Sequence, residues 1–82
     1  MDGTSDNDKR IIREIIVGHF ELFEDKAFTR DAVCHVVMTD RDMPKVADGR
    51  SAVTQEFDQL LVQGTIVGDG GEGKNRKFKL KP

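Results

Sequence analysis

The spacing of the apolar residues changes at Gly64, from a period of about 3.6 before it to a period of 2 after it. That switch sets the fold class, because the first period belongs to amphipathic helices and the second to half-buried strands. Upstream of Gly64 three segments carry the helical pattern. From Asp8 to about Phe23, Ile12, Ile15, Ile16, His19 and Phe23 share one face with Phe20 at its edge, and Lys9, Arg10, Arg13, Glu14 and Glu21 lie elsewhere. Gly18 costs this helix ~1 kcal/mol relative to alanine, which the strong period outweighs. Thr29 caps a second helix that fades near Met38, with Val33, Val36 and Val37 as its buried stripe. Phe28 and Val33 have the spacing of a hydrophobic staple across that cap, and Asp31 suits the first turn. Asp48 caps a third helix whose stripe is Val53, Phe57, Leu60 and Leu61, and Gly64 closes it.

Downstream, Thr65-Ile66-Val67 reads as one strand and Arg76-Lys77-Phe78-Lys79-Leu80 as another, joined by a glycine-rich tip at 68–73. Lys26-Ala27-Phe28 has room for a third, very short strand. The expected class is α+β: three helices and a C-terminal two-stranded hairpin. Residues 1–7 are polar with nothing to bury and are expected to be a disordered tail, leaving 8–82 as one domain.

A chain of 82 residues fits a single domain and buries only ~60% of the surface its unfolded form exposes, which favours a binding scaffold over a deep substrate cavity. Cys34 is the only cysteine, so no intrachain disulfide forms. The N-terminal residues are acidic and polar where a signal peptide needs basic and then apolar ones, and no apolar run is long enough to span a bilayer. The expected location is cytoplasmic, or nuclear if the source has a nucleus, with no membrane partner.

Charge is unevenly spread. The net charge of −2 divides into −6 over residues 1–71 and +4 over residues 72–82, where Lys74, Arg76, Lys77, Lys79 and Lys81 face only Glu72. Such asymmetry marks where an anionic partner would touch.

The element order, with a cationic hairpin after the third helix, resembles the winged-helix variant of helix-turn-helix domains over roughly residues 8–82. Its most suggestive stretch runs from Val53 to Val67, similar to a third helix whose Leu-rich turn and Gly lead into a first wing strand. Arg76 to Leu80 likewise looks like a returning wing strand. The resemblance implies duplex DNA binding, as a transcription regulator or DNA-associated factor, with helix 3 in the major groove and the wing on the backbone. Arg50, Ser51, Thr54, Gln55 and Gln59 would then read bases or phosphates, and Lys74, Arg76, Lys77 and Lys79 would neutralise phosphates. Asp58, on the same helix face, is unfavourable next to phosphate. One departure stands out: the connection at 39–47 exceeds the short turn of a compact helix-turn-helix, leaving room for a strand, an extra turn or an insertion.

Other chemistries find less support. Residues 68–74 fit the spacing of a phosphate-binding loop, but Asn75 replaces the hydroxyl residue and strand follows instead of helix. His19, Cys34 and His35 are too few for a structural zinc site, so no metal and no cofactor is expected. The carboxylates of Glu24-Asp25 and of Asp40 and Asp42 read as solvated surface charge, since tuning them for acid–base work requires burial. Neither an enzyme nor a small-molecule substrate is therefore expected. The alternative is an adaptor that recognises another protein or forms a homodimer, with exposed Val62 and Met43 contributing apolar contact. On the wing, the competing reading of the lysines is protection of an edge strand.

Overall fold

The computed structural model describes residues 5–82. It contains α1 (Asp6–Leu22), β1 (Phe28–Thr29), α2 (Arg30–Met38), α3 (Gly49–Gln63), β2 (Ile66–Gly68) and β3 (Lys77–Leu80), with a single 3-10 turn at Gly73–Asn75. The class is α+β: three helices and one small antiparallel sheet. No helix among the described residues is long and apolar enough to cross a membrane.

Local chemistry explains where each helix starts and stops. Ser5 caps α1, its Oγ accepting the Asp8 N–H at 3.1 Å, so the helix begins two residues before the expected Asp8. Residues 1–4 of the expected disordered tail lie outside the described residues. Thr29 caps α2 by accepting the Ala32 N–H at 3.2 Å, and Asp48 caps α3 by accepting the Ser51 N–H at 3.1 Å. Each oxygen satisfies a donor that the first helical turn leaves unpaired. Gly64 ends α3 at φ +79°, and the following Thr65 N–H returns to the Leu60 carbonyl at 2.9 Å. A side chain would be strained at that φ.

The helices close over one core. Ile12, Ile16 and Phe20 from α1 meet Val33, Cys34 and Val37 from α2 and Ala52, Val53, Phe57 and Leu60 from α3, with Ile66 and Phe78 completing it from the sheet. Phe57 stacks edge-on to Phe78 with centroids 5.1 Å apart, the geometry that the ring quadrupoles favour. The buried face of α1 is rotated from the one expected. Phe20 is in the core, Ile15 and His19 are half-buried, and Phe23 lies at the surface against His19 and Phe28. In α2 Cys34 takes the core place expected of Val36, and Leu61 of α3 is only half-buried.

One buried charge interrupts this apolar contact. Glu56 of α3 is 5% exposed and forms an ion pair with Arg13 of α1, Nε to Oε1 at 3.2 Å, without hydrogen-bond alignment at Nε. The pair ties α1 to α3 across the core's edge.

The sheet has the order β1-β3-β2, with Phe28 opposite Phe78 and Ile66 opposite Leu80. The short first strand is Phe28–Thr29, offset toward α2 from the expected 26–28. β3 is thus the central strand, hydrogen-bonded on both sides, so its lysines do not guard an edge. The hairpin tip is held by Asp69 N–H to Lys77 O and Lys77 N–H to Gly70 O, both 2.8 Å. Gly71, at φ +80°, has no room for a Cβ beneath the Asn75 carbonyl.

The connection from Thr39 to Asp48 contains turns and no strand. Asp40 Oδ1 accepts the Asp42 N–H at 2.8 Å, and Met43 and Val46 pack against the core as anchors. Met43 is therefore half-buried, not the exposed apolar contact anticipated for it, whereas Val62 is 83% exposed.

Candidate nucleic-acid interface

The outer face of α3 is mostly polar, with Asp58 as its carboxylate and Arg50 in its first turn. Gln55 and Gln59 are exposed, one turn apart, and Ser51 and Thr54 are half-buried beside them. The two hydroxyl residues are partly committed. Thr54 Oγ1 donates to the Arg50 carbonyl at 2.9 Å, and Ser51 Oγ accepts from Gln55 Nε2 at 3.4 Å. Thr54 thus has only acceptor capacity left for a ligand, while Gln59 is exposed and Gln55, also exposed, keeps its amide oxygen and one N–H beyond the bond to Ser51.

Cations flank this face from two helices. On the α1 side, Lys9 and Arg13 join Gln55, Asp58 and Gln59 around a shallow depression of about 450 Å³. On the α2 side, Arg30 forms an ion pair with Asp58 at 2.7 Å, and Arg50 reaches Asp31 at 3.6 Å. The pairing of Asp58 matters most here, because this carboxylate would otherwise repel a phosphate approaching α3. Arg30 neutralises it and remains about half exposed.

Arg30 is also where the hairpin joins. Its guanidinium lies 5.4 Å from the Phe57 ring centroid and 6.0 Å from that of Phe78. A guanidinium within this distance of ring faces is attracted by their quadrupoles, which helps hold Arg30 in place. Arg76 packs on Phe78 at 5.5 Å. Together Arg30, Asp31, Gly73, Lys74, Arg76 and Phe78 line a cleft of about 370 Å³ at the N-terminus of α2. Four cations, Arg30, Arg50, Lys74 and Arg76, therefore meet two carboxylates, Asp31 and Asp58, over a continuous surface beside α3.

The remaining hairpin lysines are elsewhere. Strand alternation turns Phe78 and Leu80 toward the helices and Lys77, Lys79 and Lys81 to the other side of the sheet. Lys77 is exposed, and Lys79 is bound to Asp69 at 3.5 Å. Of the anticipated phosphate contacts, Lys74 and Arg76 line the cleft with Arg30 and Asp31, which are themselves ion-paired to Asp58 and Arg50 of α3, while Lys77 and Lys79 lie on the other side of the sheet.

Sequence reasoning missed Arg30, Lys9 and Arg13. A basic residue directly after the Thr29 cap was the available signal for Arg30, since that position lies beside the N-cap of α2. Nothing local marks Lys9 and Arg13, whose proximity to α3 comes from tertiary packing.

Burial raises the pKa of the Cys34 thiol above its ordinary range, which disfavours the reactive thiolate. Burial lowers that of His19, which sits among Phe20, Phe23 and Phe28. The phosphate-loop spacing at 68–74 ends in a turn of three residues and then strand, so no helix N-terminus stands behind it. No protein-family model, curated protein or solved structure matches this chain.

Proposed function

We propose that this chain is a winged-helix module that binds duplex DNA, with α3 in the major groove and the β2–β3 hairpin as a wing on the sugar–phosphate backbone. Regulation of transcription or another DNA-associated task would follow from such binding. The observation that carries the reading is the cleft at the start of α2, where Arg30 from one element and Lys74 and Arg76 from another converge, Arg30 being tied to α3 through Asp58. Cations from separate elements focused on one concave surface, on a chain that is otherwise acidic, suit a polyanion. The element order and the central position of β3 are in keeping with the winged-helix arrangement. Gln55 and Gln59 have the donor and acceptor pair that adenine presents in the major groove.

The division of labour follows from the geometry. Arg30, Lys74 and Arg76 contact phosphates and set affinity and register, while Gln55, Gln59, Arg50 and Ser51 read base edges. Lys77 and Lys79, on the other side of the sheet, add long-range attraction.

The salt dependence of binding tests this. Three phosphate contacts give a slope of log K against log salt of about −2.7, or ~40-fold weaker binding from 50 to 200 mM salt. Lys74→Gln with Arg76→Gln should reduce that slope to about −1 and weaken all duplexes alike. Gln55→Ala should instead change the preference among sequences. A flat salt response, or variants that bind as the parent does, would remove the reading.

A further inference from the structure

We propose that the groove formed by α1, α2 and the loop after α2 docks an amphipathic helix of another protein, one whose apolar face is flanked by lysine or arginine. None of the residues lining this groove belongs to α3 or to the hairpin, so the inference does not depend on DNA binding.

α1 carries more apolar surface than the core takes up. Ile12, Ile16 and Phe20 are fully buried. Ile11, Ile15, Gly18 and Leu22 run along another side of the same helix at spacings of four, three and four residues, the seam that a second helix packs into. Ile11 and Ile15 are half-buried and Leu22 is 75% exposed. Val36 of α2 forms the facing wall, and the groove encloses about 730 Å³. At 1.5 Å per residue the seam is about 16 Å long, matching roughly three turns of a partner helix.

Gly18 sits within this seam. A Cβ at that position would meet no atom within 4 Å, so nothing inside the chain requires a glycine there. Glycine is the poorest helix former after proline. Bare backbone midway along an apolar seam does allow a second helix to approach closely.

Charge selects the occupant. Glu14, Asp40 and Asp42 line the groove, and no lysine or arginine does. Arg10 reaches Glu14 at 3.3 Å from outside the groove, but both side chains are more than half exposed and such a pair is weak. Neither Asp40 nor Asp42 forms an ion pair among the described residues. His19, the other titratable lining group, is held toward its neutral form by burial. A second copy of this chain would bring an identical acidic rim against this one, and the like charges oppose that pairing. Basic flanks on a foreign helix meet the rim with opposite charge.

The test uses two helical peptides of about 15 residues with leucines at the same four-three-four spacing, one with lysine and one with glutamate at the flanking positions. Each is titrated into the isotope-labelled full chain by NMR. The lysine peptide is expected to shift the amides of Ile11, Ile15, Gly18, Leu22 and Val36 to saturation, with a Kd about tenfold or more below that of the glutamate peptide. Asp40→Asn with Asp42→Asn keeps an acceptor for the Asp42 N–H and should bring the two affinities within about threefold of each other. Leu22→Asn, at an exposed position, should weaken both peptides. Equal affinities in the parent chain, or no saturable shift up to about 1 mM peptide, would overturn the proposal. So would a concentration-dependent dimer in sedimentation that buries these same residues, since the groove would then belong to a second copy.

Discussion

Truncating Arg13 to alanine should cost this domain about 2 kcal/mol, and the reason lies in what it leaves behind. Glu56 is 5% exposed, and the Arg13 guanidinium is ion-paired with it at 3.2 Å. Removing a partner from a buried pair costs ~3–5 kcal/mol, because the remaining charge keeps its desolvation penalty and loses its compensation. The Arg13 side chain retains 38% exposure, so water screens part of the interaction and roughly half of that range is appropriate. For a domain of this size, 2 kcal/mol corresponds to a fall in Tm of about 8–16 °C. Thermal melts and urea titrations of Arg13→Ala, Glu56→Ala and the double variant close a cycle, with an expected coupling of about 1–2 kcal/mol. Arg13→Met with Glu56→Leu replaces the pair by apolar groups of similar length and should fall within about 1 kcal/mol of the parent. If Arg13→Ala loses less than about 0.5 kcal/mol, or the cycle shows no coupling, then the pair does not hold α1 to α3 and the reasoning fails.

Three further outcomes follow from the same geometry. Gly18→Ala should raise stability by about 0.5–1 kcal/mol, since the added methyl meets open space in a helix interior; an unchanged or lower Tm would contradict this. Gly64→Ala should lower it by about 1 kcal/mol, because φ +79° strains any side chain there, and an unchanged urea midpoint would count against the cap. Burial holds the His19 imidazole below its ordinary pKa of 6.5, so just below that pH the unfolded chain binds more protons than the folded one. Stability should therefore drop as the pH is lowered through this window, and more steeply for the parent than for His19→Gln; parallel pH profiles would refute it.

How much of this could be read from residues alone depends on how local each cause is. Thr29, Asp48 and Gly64 act within one turn, and all three helix ends they were expected to mark lie where they were expected. The alternation of Phe78 and Leu80 with lysines likewise survives, because it depends only on strand geometry. The rotation of α1 was not legible. Ile11, Ile12, Ile15, Ile16, Phe20, Leu22 and Phe23 supply two apolar sides, and only the positions of α2 and α3 decide that Ile12, Ile16 and Phe20 go inward. Glu56 was hidden for the same reason, since its partner lies on another helix far away in sequence. The candidate interface suffered most from this. Strand alternation already separates Lys77, Lys79 and Lys81 from Arg76 and Lys74, but that Lys74 and Arg76 share a cleft with Arg30 depends on how the hairpin packs against α2 and was not legible.

The most direct test of the shared surface is an NMR titration of the isotope-labelled chain with mixed duplex DNA at low salt. Shifts that saturate at Arg30, Arg50, Gln55, Gln59, Lys74 and Arg76, while those of Ile11, Ile15 and Leu22 stay still, are the predicted result. An unchanged spectrum, or shifts confined to Lys77, Lys79 and Lys81 with α3 silent, would contradict the account.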